Sequence, residues 1–350
     1  MRRVRPLSII LCTRPLPLQR GQQSLLVPLL EAAGHRVAEV NDGELNFDGT
    51  NVVWILGNAN WFPHVCRQLM ATAQRARPFV IIGHGEPLPP PRASGLSWPW
   101  LHVREAAKIV LRDARATDVY SNYFRLRQLA RHRIPDLLLM PSPAWIEFLA
   151  ERGVHAHWLP FAYDPSYGRD LGLQRDVEVL FLGALDVPRR RRIIRRLRRA
   201  GINLVAMGSW SDPACWGDNR TRLLNRTKIL LNLPRSSGEL AGQRLALGMA
   251  NKALVISEPI YKPAPYVPGT HYVSATVADM PAAIRYYLTH DAERDRIVDA
   301  AYRFVTREMT ATASVDRVLS LIGAHERFGA DVGNASPRGA SASPHTEARS

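Results

Sequence analysis

Lysine is scarce in this chain of 350 residues: it stands only at positions 108, 228, 252 and 262, although lysine and arginine together number 46 against 31 acidic residues. The net charge of +15 is therefore carried almost entirely by arginine. Such a balance points to an anionic partner such as a nucleic acid, an acidic membrane surface or a phosphorylated substrate, and arginine-rich composition alone would produce it too. Cysteine is equally sparse. Cys12, Cys66 and Cys215 are odd in number and far apart, with no C-x-x-C pair. That excludes a disulfide framework and a cysteine-based zinc site, and it fits three small buried residues in a reducing compartment.

Long apolar runs are missing as well. Nothing approaches the ~18–20 residues needed to span a bilayer. The basic start "MRRVRPLSIILCTRPLPL" has only "LSIILC" as an apolar core before Arg14 interrupts it. It reads as a first strand and not as a signal peptide. The sequence lacks H-E-x-x-H, the P-loop G-x-x-x-x-G-K-[ST] and a G-x-S-x-G elbow. No G-x-G-x-x-G follows the first apolar run, which argues against a dinucleotide site.

What is present is an alternation. Hydrophobic content of 46% and charged content of 22% describe a folded globular chain, long enough for two domains. Short continuous apolar runs, the pattern of parallel strands covered on both faces, occur at 7–13, 35–40, 50–58, 78–86, 136–142 and 155–161. After a Pro- and Gly-containing stretch they resume at 177–184, 202–209, 228–234 and 253–259. Helical stripes lie between them, at 21–34 and 61–76 among others. A helix at 281–289 and a long stretch over 291–325 are expected to close the second half. The expected organisation is an N-terminal doubly wound Rossmann-like α/β domain over 1–165, a linker over 166–176 that acts as a hinge, a second Rossmann-like domain over 177–328, and a disordered Gly/Ala/Ser/Pro tail over 329–350.

Ligands of such sheets bind outside the carboxyl ends of the strands, so the residues that follow each strand are the candidates. After 177–184 comes "VPRRRRIIRRLRRAG", in which Gly183 permits close backbone approach and Arg189 and Arg190 begin a helix. Arginines at a helix N-terminus suit a diphosphate. Arg195, Arg196, Arg198 and Arg199 read as a solvated basic face. Lys228 stands at the entry of the next strand. Arg235, Ser236, Ser237 and Gly238 lead from its end into a helix that Glu239 is expected to open, with Ser236 or Ser237 as cap. Glu239 there is either a dipole-stabilised first-turn acid or a residue facing a ligand. In the first half, "IIGHGE" sets His84 between two glycines directly after a strand, a natural place for a proton acceptor or donor.

Taken in order, "VEVLFLGALDVPRRRRIIRRL", "TKILLNLP", "RLALGMANKALVISEP", "YVPGTHYV" and "MPAAIRYYLTHDAERDRIVDAAYRFV" resemble glycosyltransferases of GT-B architecture, in the bacterial family-one-like group related to spore maturation proteins. The resemblance covers about 177–325. More loosely it takes in "GHGEPLPPP" and "PSPAWIEFLAERGVHAHWLPFAYDP". It implies two Rossmann-like domains facing each other, a nucleotide-sugar donor on the second, an unknown acceptor (glycan, lipid-linked sugar, protein or metabolite) on the first, and no cofactor or dedicated metal site. In that family two glutamates eight positions apart flank the donor. Glu239 fits the first, near the sugar, whereas Leu247 stands at the second, which binds ribose. Lys252 replaces the usual Gly before the last strand, and Glu258 is the candidate compensating carboxylate. His84 matches the strand-end His that contacts the donor sugar. The expected place is cytoplasmic, including the inner face of the membrane through weak contact with anionic lipid. An inactive glycosyltransferase-like binding protein is the alternative, on account of Leu247. Nucleic-acid binding through the arginine helix is a third reading, without a recognised module or interleaved aromatics.

Overall fold

The computed structural model describes residues 5–14, 24–94, 103, 106–107, 110, 118–208, 212–235 and 237–329. Their strands form two parallel sheets. The first runs in the order β2-β1-β3-β4-β5-β6, with β1 Ser8–Cys12, β2 Arg36–Val40, β3 Val52–Leu56, β4 Phe79–Gly83, β5 Leu137–Met140 and β6 His157–Trp158. The second runs β11-β10-β9-β7-β8, with β7 Val177–Leu182, β8 Leu204–Met207, β9 Thr227–Asn232, β10 Leu254–Ser257 and β11 Val273–Ser274. Each apolar run read as a strand is one. The two-residue β11 is an addition, too short to register as a run.

Alternate residues of each strand feed opposite faces, as the period of two requires. On one face of the first sheet Ile10, Val53, Ile55, Val80, Ile82 and Leu138 are buried under α2 (Pro63–Ala71), α3 (Asp118–Arg131) and α4 (Pro143–Ala150). On the other, Ile9, Leu11, Val52, Ile81 and Leu139 meet α1 (Leu26–Ala32). The second sheet buries Val179, Phe181, Ile229 and Ile256 against α5 (Pro188–Arg199) and the helices that follow. Leu180 and Leu230 turn to the other side, with Leu224 of α6 (Gly217–Asn225).

One element departs from the expected domain plan. The segment 291–325 is α9 (Asp291–Arg303), a π-helical turn over Phe304–Glu308 and α10 (Ala311–Ala324); α7 (Gly242–Ala250) and α8 (Met280–Thr289) precede it. Helix α10 does not close the second sheet. Its stripe Val315, Val318 and Ile322 packs beside α1 on the first sheet, where a seven-residue helix leaves apolar surface uncovered. The segment after α10 is held there too: Arg327 donates to Asp136 at 2.8 Å and to the Arg77 carbonyl at 2.7 Å.

The chain thus crosses between the sheets twice, and the crossings touch. The Tyr163 amide donates to the Met309 carbonyl, and Tyr163 bridges Thr310. The expected linker is not loose beyond this point. Asn225 and Asn251, both fully buried, bond to each other at 2.9 Å. They also hold the main chain at Tyr167, Arg169 and Leu171. Arg175 donates to the carbonyls of Thr227 and Asn251, so 166–175 is tied to the second sheet. The expected disordered tail lies outside the described residues from 330 on.

Candidate functional site

In the second sheet β7 leads to β8 on one side and β9 lies on the other, so the topological switch point falls between β7 and β9. Ligands of such sheets bind in the crevice outside the carboxyl ends at that point. Arg189 and Arg190 follow β7, Arg235 and Glu239 follow β9, and Glu258 follows β10. Pro188 at the first turn of α5 presets the helix and delivers both arginines to this edge.

The two arginines then part. Arg190 is 5% exposed. Its Nε donates to the Leu233 carbonyl at 2.8 Å and its Nη1 to the Ala184 carbonyl at 3.3 Å. Arg189 is engaged elsewhere, its Nη1 2.8 Å from Glu258 Oε1 and its Nη2 on Oε2. Glu258 is almost completely buried. Arg189 and Glu258, both expected among the donor-binding residues, are thus each other's partners, as a buried carboxylate demands.

A residue passed over in the sequence completes the cluster. Arg244 is the one charged side chain within α7, "GQRLALGMA", and that isolation is the signal that marks it. Its Nε donates to the Leu182 carbonyl at 3.0 Å, and its Nη1 to Asn232 Oδ1 at 2.9 Å and to the Leu233 carbonyl at 3.3 Å. Arg190 and Arg244 so converge on one carbonyl oxygen, with Phe181 beneath both at 5.6 and 5.4 Å. Gly183 leaves room for the guanidinium, since a Cβ there would stand 2.9 Å from Arg244 Nη2. Burial, then the neighbouring cation, pushes Arg244 down to about 9, and burial with Arg235 pushes Arg190 down to about 10. The nearby Glu239 opposes the shift in both. Arginine stays charged at neutral pH even so. Arg190, buried, and Arg244, partly buried, thus set two guanidiniums side by side with the Glu239 charge near both.

Glu239 itself does not open a helix. Helix α7 starts at Gly242, and its cap, Ala241, supplies no side-chain bond. Glu239 lies in the preceding loop, which is fixed by the bridge between Gly238 and Ile260. Its charge is therefore set against the guanidiniums and not by a helix dipole. Ser237 sits half-buried in the turn and caps nothing; Ser236 lies outside the described residues. Arg235 is exposed at the rim. Lys228 is the second residue of β9, four positions before its carboxyl end and thus ~13 Å away, so the structure removes it from the site.

His84 comes from the first sheet, just past β4. It is 1% exposed, and among the described residues neither ring nitrogen makes a well-formed hydrogen bond, the Glu86 main chain being a polar neighbour. Burial pulls it down to about 4, with the Glu86 main chain opposing, so the ring is neutral at pH 7. Phe161, from the crossover, joins the two walls. Its ring lies against Gly85 on one side and against Gly242 on the other, where a Cβ would collide with it. His84 and Glu239 thus belong to opposite walls of one cleft. A second contact spans the walls, from Glu147 of α4 to Lys262 Nζ at 2.6 Å and to the Tyr261 hydroxyl at 3.2 Å. Among the described residues no group of three or more His, Cys, Asp or Glu is placed to hold a metal ion, and no helix is long and apolar enough to cross a membrane.

A family model described as glycosyl transferase-like matches residues 189–320, the segment that carries the arginine pair, Glu239 and Glu258. No curated protein matches the chain in sequence. Among solved structures, HepE of Anabaena, determined with UDP and glucose, aligns with a TM-score of 0.56 at 8% identity over 91% of this chain and 99% of its own. AviGT4, a glycosyltransferase of avilamycin A biosynthesis, aligns at 0.50 with 14% identity over 93% and 99%. TarM of S. aureus aligns at 0.54 with 10% identity over 77% of this chain, which spans only 54% of TarM. Two parallel α/β sheets in this arrangement give the chain the GT-B fold of glycosyltransferases, and its second half carries the glycosyl transferase-like pattern.

Proposed function

We propose that this protein is a glycosyltransferase that takes a sugar from a nucleoside-diphosphate sugar, the donor seated at the β7/β9 switch point. The observation that carries the reading is the convergence of Arg190 and Arg244 on the Leu233 carbonyl beside Gly183. Two desolvated guanidiniums fit a departing diphosphate, whose charge grows in the transition state, and buried preorganised cations act most strongly there. Glu239, next to them, faces the sugar side. His84, neutral on the opposite wall, takes a hydrogen bond from the sugar in this reading. The guanidiniums carry the diphosphate's charge in this reading, without a dedicated metal site. The UDP complexes of HepE support a nucleotide-sugar donor. The closer kinship with spore maturation proteins, and a cytoplasmic setting, rest on the sequence resemblance and composition alone.

Binding without turnover is the second reading, favoured by one observation. Leu247 packs with Leu182 and Met207 in an apolar cluster, and Glu258 is occupied by Arg189, so neither position offers a carboxylate to a ribose. A thermal-shift series with nucleotides and nucleotide sugars tests the donor. A ligand at 100 times its Kd should add ~2.7 kcal/mol of stability. Absence of any shift with nucleoside diphosphates rejects both readings. A shift without release of free sugar or transfer leaves the second.

A further inference from the structure

Helix α5 carries more charge than the site uses. Arg189 is paired with Glu258, and Arg190, Ile193, Ile194 and Leu197 are buried. The remaining six, Arg191, Arg192, Arg195, Arg196, Arg198 and Arg199, are all exposed. None of them meets a carboxylate at ion-pair distance among the described residues. Their bonds go to main-chain oxygens instead: Arg195 to Arg191, and Arg198 to Leu204 at 3.1 Å. Helix α5 contains no acid. At 100° per residue the six span less than half a turn of the helix surface, with Arg192, Arg195 and Arg199 as the middle row. Arg285 of α8 extends the patch by reaching the Ala200 carbonyl at its end. Beside it runs β8, the edge strand of the second sheet, with Val205 42% exposed.

Like charges packed this way repel one another and are kept without local compensation. The exposed face of α5 itself, "PRRRRIIRRLRR", carries no aromatic to stack a base. A planar array of phosphates meets the whole middle row at once, and each guanidinium can fork onto a headgroup phosphate. We propose that the outer face of α5, with Val205 at its margin, docks the protein on a membrane rich in anionic phospholipid. The docking is electrostatic, because the apolar face of this helix is spent on the core and no part of it is left to insert. It is independent of the donor reading, since the residues involved are not those that line the crevice.

The test is flotation of the full chain with vesicles of phosphatidylcholine alone and with 30% phosphatidylglycerol, at low and high salt. A 30-base-pair DNA duplex is measured beside them. The variants are Arg192→Glu/Arg195→Glu/Arg199→Glu and, as a control elsewhere on the surface, Arg303→Glu/Arg307→Glu. The expected result is binding only to the phosphatidylglycerol vesicles, weakened by salt as surface charge is screened. The helix variant should bind ~100-fold more weakly, at about one decade or less per residue, and the control should be unchanged. Circular dichroism of the helix variant confirms that it is folded. Equal loss in both variants, binding to neutral vesicles, or tighter binding to the duplex than to the vesicles would each overturn the proposal.

Discussion

The Arg189 guanidinium closes on the Glu258 carboxylate as a fork, Nη1 to Oε1 at 2.8 Å, while Nη1 also reaches the Pro234 carbonyl at 3.3 Å. It thereby ties the ends of β9 and β10 to the start of α5. The Arg189 side chain keeps 30% of its exposure and Glu258 only 3%. Removing the arginine strands a buried carboxylate. Breaking a fully buried pair costs ~3–5 kcal/mol, and the part-exposed arginine lowers this to ~2–3. Arg189→Ala should therefore lose stability on that scale in thermal unfolding, while a folded sample keeps its affinity for UDP within a few-fold by calorimetry. An affinity loss without a stability loss would place Arg189 on the ligand after all.

Arg190 and Arg244 carry the opposite expectation. A charge-assisted bond to phosphate is worth ~1.5–3 kcal/mol, so Arg244→Gln should weaken nucleoside-diphosphate binding by about 10- to 100-fold. Arg190→Gln should do the same. Arg198→Gln, on the outer face of the same helix, should change binding less than twofold. Calorimetric titration with UDP and ADP separates these outcomes.

Glu239 lies near both guanidiniums, of Arg190 and Arg244, and outside the helix. Glu239→Gln removes a negative charge that competes with the diphosphate, so affinity for the free diphosphate should rise a few-fold. Turnover with an accepted donor should fall by ~100-fold or more, comparable with losing one transition-state contact. Stability should move by less than ~1 kcal/mol. A variant with full activity would falsify the sugar-side role.

His84 makes a prediction in pH. Its folded value, near 4, lies below the ordinary 6.5, so between these values the unfolded chain binds the extra proton. The stability it contributes is complete above about pH 6.5 and drains away as the pH falls towards 4. The wild type should lose up to ~3 kcal/mol more than His84→Asn between pH 7 and pH 4 in denaturant titrations. Parallel pH profiles would show that the ring protonates freely in the folded protein.

Asn225 tests the tethered crossover. Its amide donates to Arg169, Thr221 and Asn251 and accepts from the Leu171 amide. Asn225→Ala should cost ~3 kcal/mol, the price of stranding buried main-chain groups, and should open 166–175 to limited proteolysis. In the wild type that segment should resist cleavage.

Much of the fold was legible in the chain itself. The run "VEVLFLG" is a strand because continuous apolar residues suit a sheet covered on both faces. "VPRRRRIIRRLRR" is a helix because Ile193, Ile194 and Leu197 mark one side at the helical period. The carboxyl-end rule then pointed at Arg190, Glu239 and His84. Those assignments depend on neighbours within a few residues, where local sterics and periodicity decide. Three-dimensional packing decided the rest. Which sheet Val315, Val318 and Ile322 would cover depended on which face another helix had left bare. Glu239 falling before its helix depended on the bridge between Gly238 and Ile260, and the removal of Lys228 on strand direction. The pairing of Arg189 with Glu258, 69 positions away, and the meeting of Arg190 with Arg244 at one carbonyl arise because desolvated charges take whatever partner the strand order sets beside them. That order, with β9 laid against β7, is a property of the assembled sheet and of no single segment.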